Sequence, residues 1–234
     1  MAAFWDSTRV DGQEMRLYIS VPEGKDPLPA VVVIQHQGGV DEFIEEMTER
    51  VARAGYVGAA PDLYHRDGPD CRDDGPTRRA RLVDVNVIKD VNATVDFLKR
   101  HRGVDGRRLG IVGFCMGGRV TFLACARRAI GAGVGFYGGA IVGGWPPMFA
   151  ALDGEAATLK APWLGLFGDR DQSIPVEHVE LLRDALDAAP VDTEIVRYPN
   201  AGHGFHSEPR PASYVPDAAA DAWQRAVAWF GKHL

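Results

Sequence analysis

Three short segments of the sequence combine a reactive side chain with glycines. The first is Gly-Phe-Cys-Met-Gly-Gly at 113–118, in which Cys115 follows a glycine by two positions and precedes another by two. The second segment holds Asp169 and Asp171, and the third places His203 between two glycines. A cysteine nucleophile, a histidine base and a carboxylate that orients the histidine can form and break acyl bonds.

The cysteine segment is typical of a nucleophile elbow, in which Gly-x-nucleophile-x-Gly turns sharply from a strand into a helix. The N-terminus of that helix favours a thiolate and, later, an oxyanion. We therefore predict Cys115 as the nucleophile and the N–H of Met116 as one oxyanion donor, with the N–H of Gln37 as the second. A free cysteine can also be a buried structural residue, and the glycines are what favour the functional interpretation.

The three segments need a scaffold that brings them to one edge. Apolar runs typical of buried strands alternate with helical patterns along most of the chain. The runs predict strands at 30–35, 56–60, 109–114, 134–137, 163–167 and 193–198, with an edge piece at 17–21 that could be antiparallel. The helical patterns fall near 44–54, 82–98, 118–128, 179–186 and 223–230. The alternation predicts one α/β domain over residues 1–234, with a mainly parallel sheet and helices on both faces.

Each reactive segment follows a predicted strand directly. Ligands of such sheets bind outside the carboxyl ends of the strands. Taken alone, the acidic and histidine segments are weak signals, because Asp and Gly are common in turns and a lone histidine is usually solvated. Together they place nucleophile, acid and histidine in the chain order of the α/β-hydrolases.

Composition excludes several other classes of function. The 234 residues carry 26 Lys and Arg against 32 Asp and Glu, a net charge of −6, so neither nucleic acid nor an anionic membrane is expected as a partner. We find no apolar run of about 18 residues and no signal-peptide pattern. Three cysteines argue against a disulfide scaffold and for a cytoplasmic protein. With neither C-x-x-C nor H-E-x-x-H spacing, we expect no metal and no cofactor.

With these residues in view, the chain resembles the dienelactone hydrolase family of α/β-hydrolases from about residue 31 onward. The likeness rests on Gln35 with the loop after it, Pro-Asp-Leu-Tyr at 61–64, the cysteine elbow, Phe-Tyr-Gly at 136–138 and Ala-Gly-His at 201–203. The resemblance implies a triad of Cys115, His203 and Asp171. Asp171 is preferred to Asp169 because the Ile-Pro pair at 174–175 sets the register against the family pattern.

Two positions depart from the family pattern. The family has a glutamate directly after the glutamine of the first strand, where it helps to take the thiol proton, and this chain has His36. A histidine could accept that proton or, when protonated, hold Cys115 as a thiolate. The family also clamps a substrate carboxylate with two arginines. Arg66 matches one of them, whereas the other position is Ser207, preceded by His206.

These observations predict a hydrolase that opens a small lactone or enol ester through a thioester on Cys115. The residues predicted on the substrate side are His36, Tyr64, Arg66, Tyr137, His206 and Ser207. One alternative is a carboxylesterase or thioesterase with the same triad, and another is a non-catalytic carboxylate binder or redox sensor. About 25 residues separate the strands ending near 137 and starting near 163, too few for a large helical lid. We expect a monomer or homodimer whose partner is a small molecule.

Overall fold

The computed structural model describes residues 1–24, 27–128 and 130–234. The strands are β1 Ala2–Val10, β2 Gln13–Val21, β3 Leu28–Ile34, β4 Val57–Pro61, β5 Val104–Phe114, β6 Ala132–Phe136, β7 Trp163–Gly168 and β8 Thr193–Tyr198. The helices are α1 Glu42–Arg53, α2 Gly75–Arg79, α3 Asp84–Arg100, α4 Met116–Arg127, α5 Val176–Leu186 and α6 Pro216–His233. Among the described residues eight strands form one sheet, in the order β1-β2-β4-β3-β5-β6-β7-β8. This mostly parallel sheet with helices confirms the predicted α/β class.

The chain divides into two compact units, Met1–Ile111 and Val112–Leu234. In the first unit, β1 and β2 form an antiparallel hairpin closed by Asp11 and Gly12, which both have positive φ. β2 also pairs antiparallel with β4, and β4 pairs parallel with β3.

The prediction of an antiparallel piece at 17–21 is therefore confirmed, but its place at the edge is wrong because β1 lies outside it. β1 is exposed over most of its length, so it lacks the apolar alternation that predicts a strand.

The helices of the first unit follow the expected apolar spacing. α1 is capped by Asp41, whose side chain accepts from the N–H of Ile44 at 3.2 Å. α3 buries one face, including Val87, Val91 and Leu98. Between β4 and α3 the chain forms a 3₁₀ turn at His65–Asp67 and the short helix α2.

The second unit contains three neighbouring parallel strands, β6, β7 and β8. α4 is buried along most of its length, and its Thr121 hydroxyl accepts a hydrogen bond from the Trp163 indole at 3.0 Å. Between β6 and β7 the described chain forms a 3₁₀ helix at Asp153–Thr158 and an isolated bridge between Trp145 and Phe149. These short elements do not form a large helical lid. The helices and strands of this unit position three turns at strand ends.

Candidate active site

The elbow forms where β5 ends and α4 begins. Cys115 stands between them with φ 57° and ψ −120°, a backbone conformation that residues with a Cβ rarely adopt. A Cβ at Gly113 would overlap the carbonyl of Gly117, and one at Gly118 would lie 2.6 Å from the carbonyl oxygen of Phe136. The close approach therefore requires glycine at both positions.

The elbow is held against β6 and faces the start of a helix. The N–H of Cys115 donates to the carbonyl of Phe136 at 3.1 Å. α4 begins at Met116, so the cysteine lies at the positive end of the helix dipole. The Cys115 side chain is half-buried, in contrast to the fully buried Cys125. Such a position favours the thiolate form and leaves the sulfur within reach of a ligand.

Asp171 and His203 lie in the turns after β7 and β8, and their side chains are hydrogen-bonded. His203 Nδ1 lies 2.6 Å from Asp171 Oδ2, so Nδ1 carries the proton and donates it. The two turns are tied by the N–H of Arg170, which donates to the carbonyl of Ala201 at 2.8 Å. The Asp171 side chain is 1% exposed and the His203 side chain 36% exposed. A buried carboxylate on Nδ1 leaves Nε2 as the nitrogen that can act as a base.

The electrostatics of this pair favour a charged imidazole. Burial lowers the pKa of His203, but hydrogen bonds to Asp171 and Cys115 and the charges of both groups outweigh it and raise the pKa to about 10. Burial raises the pKa of Asp171, and the hydrogen bonds from His203 and Ser173 outweigh it, so that this pKa lies below its usual 3.8. The arrangement therefore supports an imidazolium beside a carboxylate, with a thiolate as the third partner.

Asp169, the other carboxylate of the same turn, has a different partner. Its two oxygens accept from Nε and Nη2 of Arg197 at 2.7 and 2.9 Å. This bidentate ion pair joins the ends of β7 and β8. Of the two candidates, Asp171 is the one that contacts the histidine.

Tyr137 lies directly after β6, beside the histidine. Its ring meets that of His203 edge to face at 5.1 Å, and its side chain is buried. Burial raises the pKa of Tyr137 well above 10, and the charge of Cys115 acts in the same direction against the opposing charge of Arg210. The phenol is therefore neutral and packs against the imidazole.

His206 and Ser207 lie in the segment that follows β8, and both are buried. The ring of His206 stacks between Phe114 and Trp223, with each pair of ring centroids 5.9 Å apart. The N–H of Ser207 donates to the carbonyl of Gly204 at 2.9 Å. These contacts give His206 a packing role, and the predicted substrate contacts of both residues stay predictions.

In the first unit, His36 uses both ring nitrogens within its own loop. Nε2 lies 2.8 Å from Asp41 Oδ2, and Nδ1 accepts the N–H of Gly38 at 3.1 Å. Since Nδ1 accepts, Nε2 is the nitrogen that donates to Asp41. Neither nitrogen therefore presents a lone pair to a thiol, and Asp41 links this histidine to the cap of α1.

The next residue, Gln37, is held by two hydrogen bonds. The Tyr64 hydroxyl donates to its backbone carbonyl at 2.9 Å, and Arg79 donates to its side-chain oxygen at 2.9 Å. A Cβ at Gly75 would overlap the same carbonyl, so α2 begins directly against this loop. The Tyr64 hydroxyl thus holds the loop that was predicted to supply an oxyanion donor, and the predicted place of Tyr64 on the substrate side stays a prediction.

Arg66 is engaged by carboxylates of the chain. Its guanidinium donates to both oxygens of Asp90 at 2.7 and 2.8 Å and to Asp11 at 3.3 Å. Asp90 is fully buried on α3 and also lies 3.2 Å from Nε2 of His65. Hydrogen bonding to Asp90 raises the pKa of Arg66 further. The predicted role of Arg66 as a substrate clamp stays a prediction, and in this structure its hydrogen bonds are made to the protein.

Two residues with defined contacts were not singled out from the sequence. Ser173 follows Asp171 by two positions and bonds to it through both its N–H and its hydroxyl. Asp90 lies on the apolar face of α3, at helical spacing from Val87 and Val91. A charged residue on a buried face needs a partner. The position of Asp90 within the apolar pattern was therefore the sequence signal for a buried ion pair.

No group of three or more His, Cys, Asp or Glu side chains within the described ranges could hold a metal ion. In the same part of the chain, no helix is long and apolar enough to cross a bilayer.

Comparison with known proteins assigns the chain to a family. The family model described as "Dienelactone hydrolase family" matches residues 15–234. The chain is 39% identical over 236 residues to a Yersinia pestis protein named "Putative carboxymethylenebutenolidase", covering 95% of this chain and 85% of that protein. It is 40% identical over 241 residues to an Escherichia coli K12 protein of the same name, covering 100% and 88%.

A solved structure has the same fold over its whole length. The "Putative Dienelactone Hydrolase" of Klebsiella pneumoniae superposes with a TM-score of 0.89 at 38% identity and covers 99% of both chains. The predicted family, fold and enzyme class are thereby confirmed. The chain belongs to the dienelactone hydrolase family, and it is a hydrolase of the α/β-hydrolase fold that acts on ester or lactone bonds.

Proposed function

We propose that this protein hydrolyses a small ester or lactone through a Cys115–His203–Asp171 triad and a thioester intermediate. The observation that supports it most is the 2.6 Å hydrogen bond between His203 and Asp171, with Cys115 acting on the pKa of the same imidazole. Three side chains from three strand ends thus act as one electrostatic unit. That is the arrangement required of nucleophile, base and orienting acid.

The steps follow from these positions. Cys115 gives its proton to Nε2 of His203, and the thiolate attacks the carbonyl carbon. The oxyanion accepts from the N–H of Met116, and the N–H of Gln37 is the predicted second donor. Collapse breaks the C–O bond, the imidazolium protonates the leaving alkoxide, and the acyl group remains on sulfur. His203 then takes a proton from water, hydroxide adds to the thioester, and Cys115 leaves as a thiolate.

An uncharged ester is the second candidate substrate, favoured by the contacts of Arg66. Its guanidinium already forms a bidentate pair with Asp90 and a third contact with Asp11. A substrate carboxylate would have to compete for the guanidinium with these carboxylates, one of which is fully buried. We therefore rank a small neutral lactone or carboxylester beside dienelactone itself.

The test is hydrolysis by wild type and Cys115→Ala, with Cys71→Ala as the matched control. Substrates are cis-dienelactone, a carboxylate-free lactone analogue and p-nitrophenyl acetate, each scored by kcat/KM. We expect kcat/KM to fall at least about a thousandfold in Cys115→Ala. Cys71→Ala should match wild type, because Cys71 lies in the segment before α2 and is not part of the proposed triad. Rapid acid quench with p-nitrophenyl acetate should leave one acetyl group on the peptide that contains Cys115.

The outcomes separate the alternatives. Undiminished turnover by folded Cys115→Ala would refute the mechanism. Preference for the carboxylate-bearing lactone would place dienelactone chemistry first, and equal or better turnover of the neutral substrates would favour an esterase. No measurable hydrolysis of any substrate would argue for a carboxylate-binding protein or a redox sensor.

A further inference from the structure

Ser173 contacts both the acid and the histidine of the proposed triad. Its N–H and its hydroxyl donate to the same oxygen, Oδ1 of Asp171, at 2.8 and 2.6 Å. The other oxygen, Oδ2, accepts from Nδ1 of His203. The serine oxygen also lies 3.3 Å from that Nδ1, so it can share the imidazole proton. Ser173 thus holds one carboxylate oxygen by two hydrogen bonds, and the other oxygen faces the histidine.

We propose that Ser173 is a positioning residue of the hydrolysis, whose hydroxyl fixes the rotation of the Asp171 carboxylate so that Oδ2 faces His203. The inference rests on the proposed triad and extends it by a fourth side chain. The hydroxyl contacts Asp171 and His203, and it acts on the reacting atoms through them.

Because the Asp171 carboxylate is buried, it needs the hydrogen bonds that Ser173 donates. The Asp171 side chain is 1% exposed, so its oxygens have little access to water. A buried carboxylate oxygen without a donor is costly, and the hydroxyl of Ser173 is the side-chain donor recorded on Oδ1. Without it, one backbone N–H would hold Oδ1, and the carboxylate could rotate about its χ2 bond. Ser173 itself is exposed, so changing it removes the hydroxyl without opening a cavity in the core.

The charged groups around Asp171 make the direction of the effect clear. Asp169 pairs with Arg197, and Arg170 donates to the side chain of Asn200. Across from Asp171 stand the imidazole of His203 and, beyond it, Cys115 and the neutral phenol of Tyr137. Burial raises the pKa of Asp171, and the hydrogen bonds of His203 and Ser173 lower it. Removing the hydroxyl therefore raises this pKa.

The experiment compares Ser173→Ala, Ser173→Thr and Gln172→Ala, an exposed neighbour in the same turn. For each variant, kcat/KM on p-nitrophenyl acetate is measured from pH 3 to 10. In Ser173→Ala we expect a plateau about tenfold lower and an acid limb displaced to higher pH. Ser173→Thr keeps a hydroxyl and should restore both, and Gln172→Ala should match wild type. Thermal melts followed by circular dichroism verify that each variant folds.

A second measurement separates this proposal from the hydrolytic one. Alkylation of Cys115 by iodoacetamide, followed against pH in a Cys71→Ala background, needs no substrate. A shifted alkylation limb in Ser173→Ala supports the positioning role even if every ester proves inert. Unchanged limbs in both measurements overturn it. Equal impairment of the alanine and threonine variants also overturns it, because the hydroxyl would then not be the group that matters.

Discussion

His203 and Asp171 form the hydrogen bond on which the rest of the site depends. Its 2.6 Å length and the burial of the carboxylate fix the imidazole tautomer, with the proton on Nδ1 and Nε2 left as the nitrogen that can act as a base. Asp169 and Asp171 look equivalent in the sequence, since both follow β7 directly. The structure separates them by their partners, because Asp169 is committed to Arg197.

Replacing each aspartate by asparagine should show this division of roles. Asp171→Asn keeps the shape but removes the charge that orients His203, and we expect kcat/KM to fall by on the order of a thousandfold. Asp169→Asn breaks a partly exposed ion pair, so we expect kcat/KM within about twofold of wild type and a stability loss below about 1 kcal/mol. Steady-state kinetics and urea unfolding measure the two quantities. Equal losses of activity would contradict the assignment.

The His203 interaction also predicts how stability depends on pH. The pKa of His203 rises from its ordinary 6.5 to about 10 in the folded protein. A raised pKa means that the contribution is fully present below pH 6.5 and is lost as pH rises through 10. The free-energy difference between wild type and Asp171→Asn should therefore shrink over that interval, as urea titrations at several pH values would measure. A constant difference would refute the charged imidazole.

At the residue scale, the sequence predicted the candidate side chains that follow strands, but it did not predict contacts between residues far apart in the chain. The places of Cys115, Asp171 and His203 after strands could be predicted because each lies in a local motif that follows an apolar run. The partner of Arg66 could not be predicted in this way, because Asp90 lies 24 residues away on another element. Ser173 was visible in the motif, but serine is so common in turns that only its two bonds to Asp171 distinguish it.

At the scale of elements, the elbow is a strand–helix junction that leaves no volume for extra side chains. Gly113 and Gly118 approach backbone atoms of the next turn and of β6. Such contacts with backbone cannot relax as contacts with a flexible side chain can. The sequence predicted this junction well, although α4 begins at Met116 and thus two residues before the predicted position.

A pair of glycine substitutions measures this constraint. In Gly113→Ala the new Cβ would overlap the carbonyl of Gly117, and we expect a loss of about 2 kcal/mol in the free energy of unfolding and a lower kcat/KM. In Gly231→Ala, within α6, the new Cβ meets no described atom within 4 Å, and we expect a gain of up to about 1 kcal/mol. Urea unfolding compares the two. Equal effects would show that the elbow can relax.

Strand β1 shows why the edge of the sheet was harder to predict. Its residues Phe4 and Trp5 are 40% and 37% exposed, and polar residues occupy both faces further along. A strand that buries neither face gives no apolar period. The Asp-Gly turn at 11–12 was the available signal for a hairpin.

At the scale of the whole molecule, the proposed triad lies entirely in the unit Val112–Leu234. The unit Met1–Ile111 contains the Arg66–Asp90 pair, which joins the turn after β4 to α3. Because Asp90 is fully buried, this pair is part of the packing of that unit. The net charge of −6 adds no general attraction for an anionic substrate.

Arg66→Ala tests whether this arginine serves stability or substrate. We expect the free energy of unfolding to fall by roughly 3 kcal/mol, because the change leaves a buried carboxylate without its main partner. We expect kcat/KM on p-nitrophenyl acetate to stay within about threefold. Arg107→Ala, which removes a 90% exposed partner of Asp105, is the control and should cost below about 0.5 kcal/mol. A selective loss on a carboxylate-bearing lactone would instead assign Arg66 to the substrate.

The backbone of Cys115 has a consequence for the evolution of the chain. A residue with a side chain at φ 57° and ψ −120° stores on the order of 1–3 kcal/mol of strain that glycine would not have. Selection for heat resistance alone would therefore favour glycine at this position and remove the proposed nucleophile. Retention of cysteine there is a trade of stability against reactivity, and gains in stability must come from positions away from the elbow.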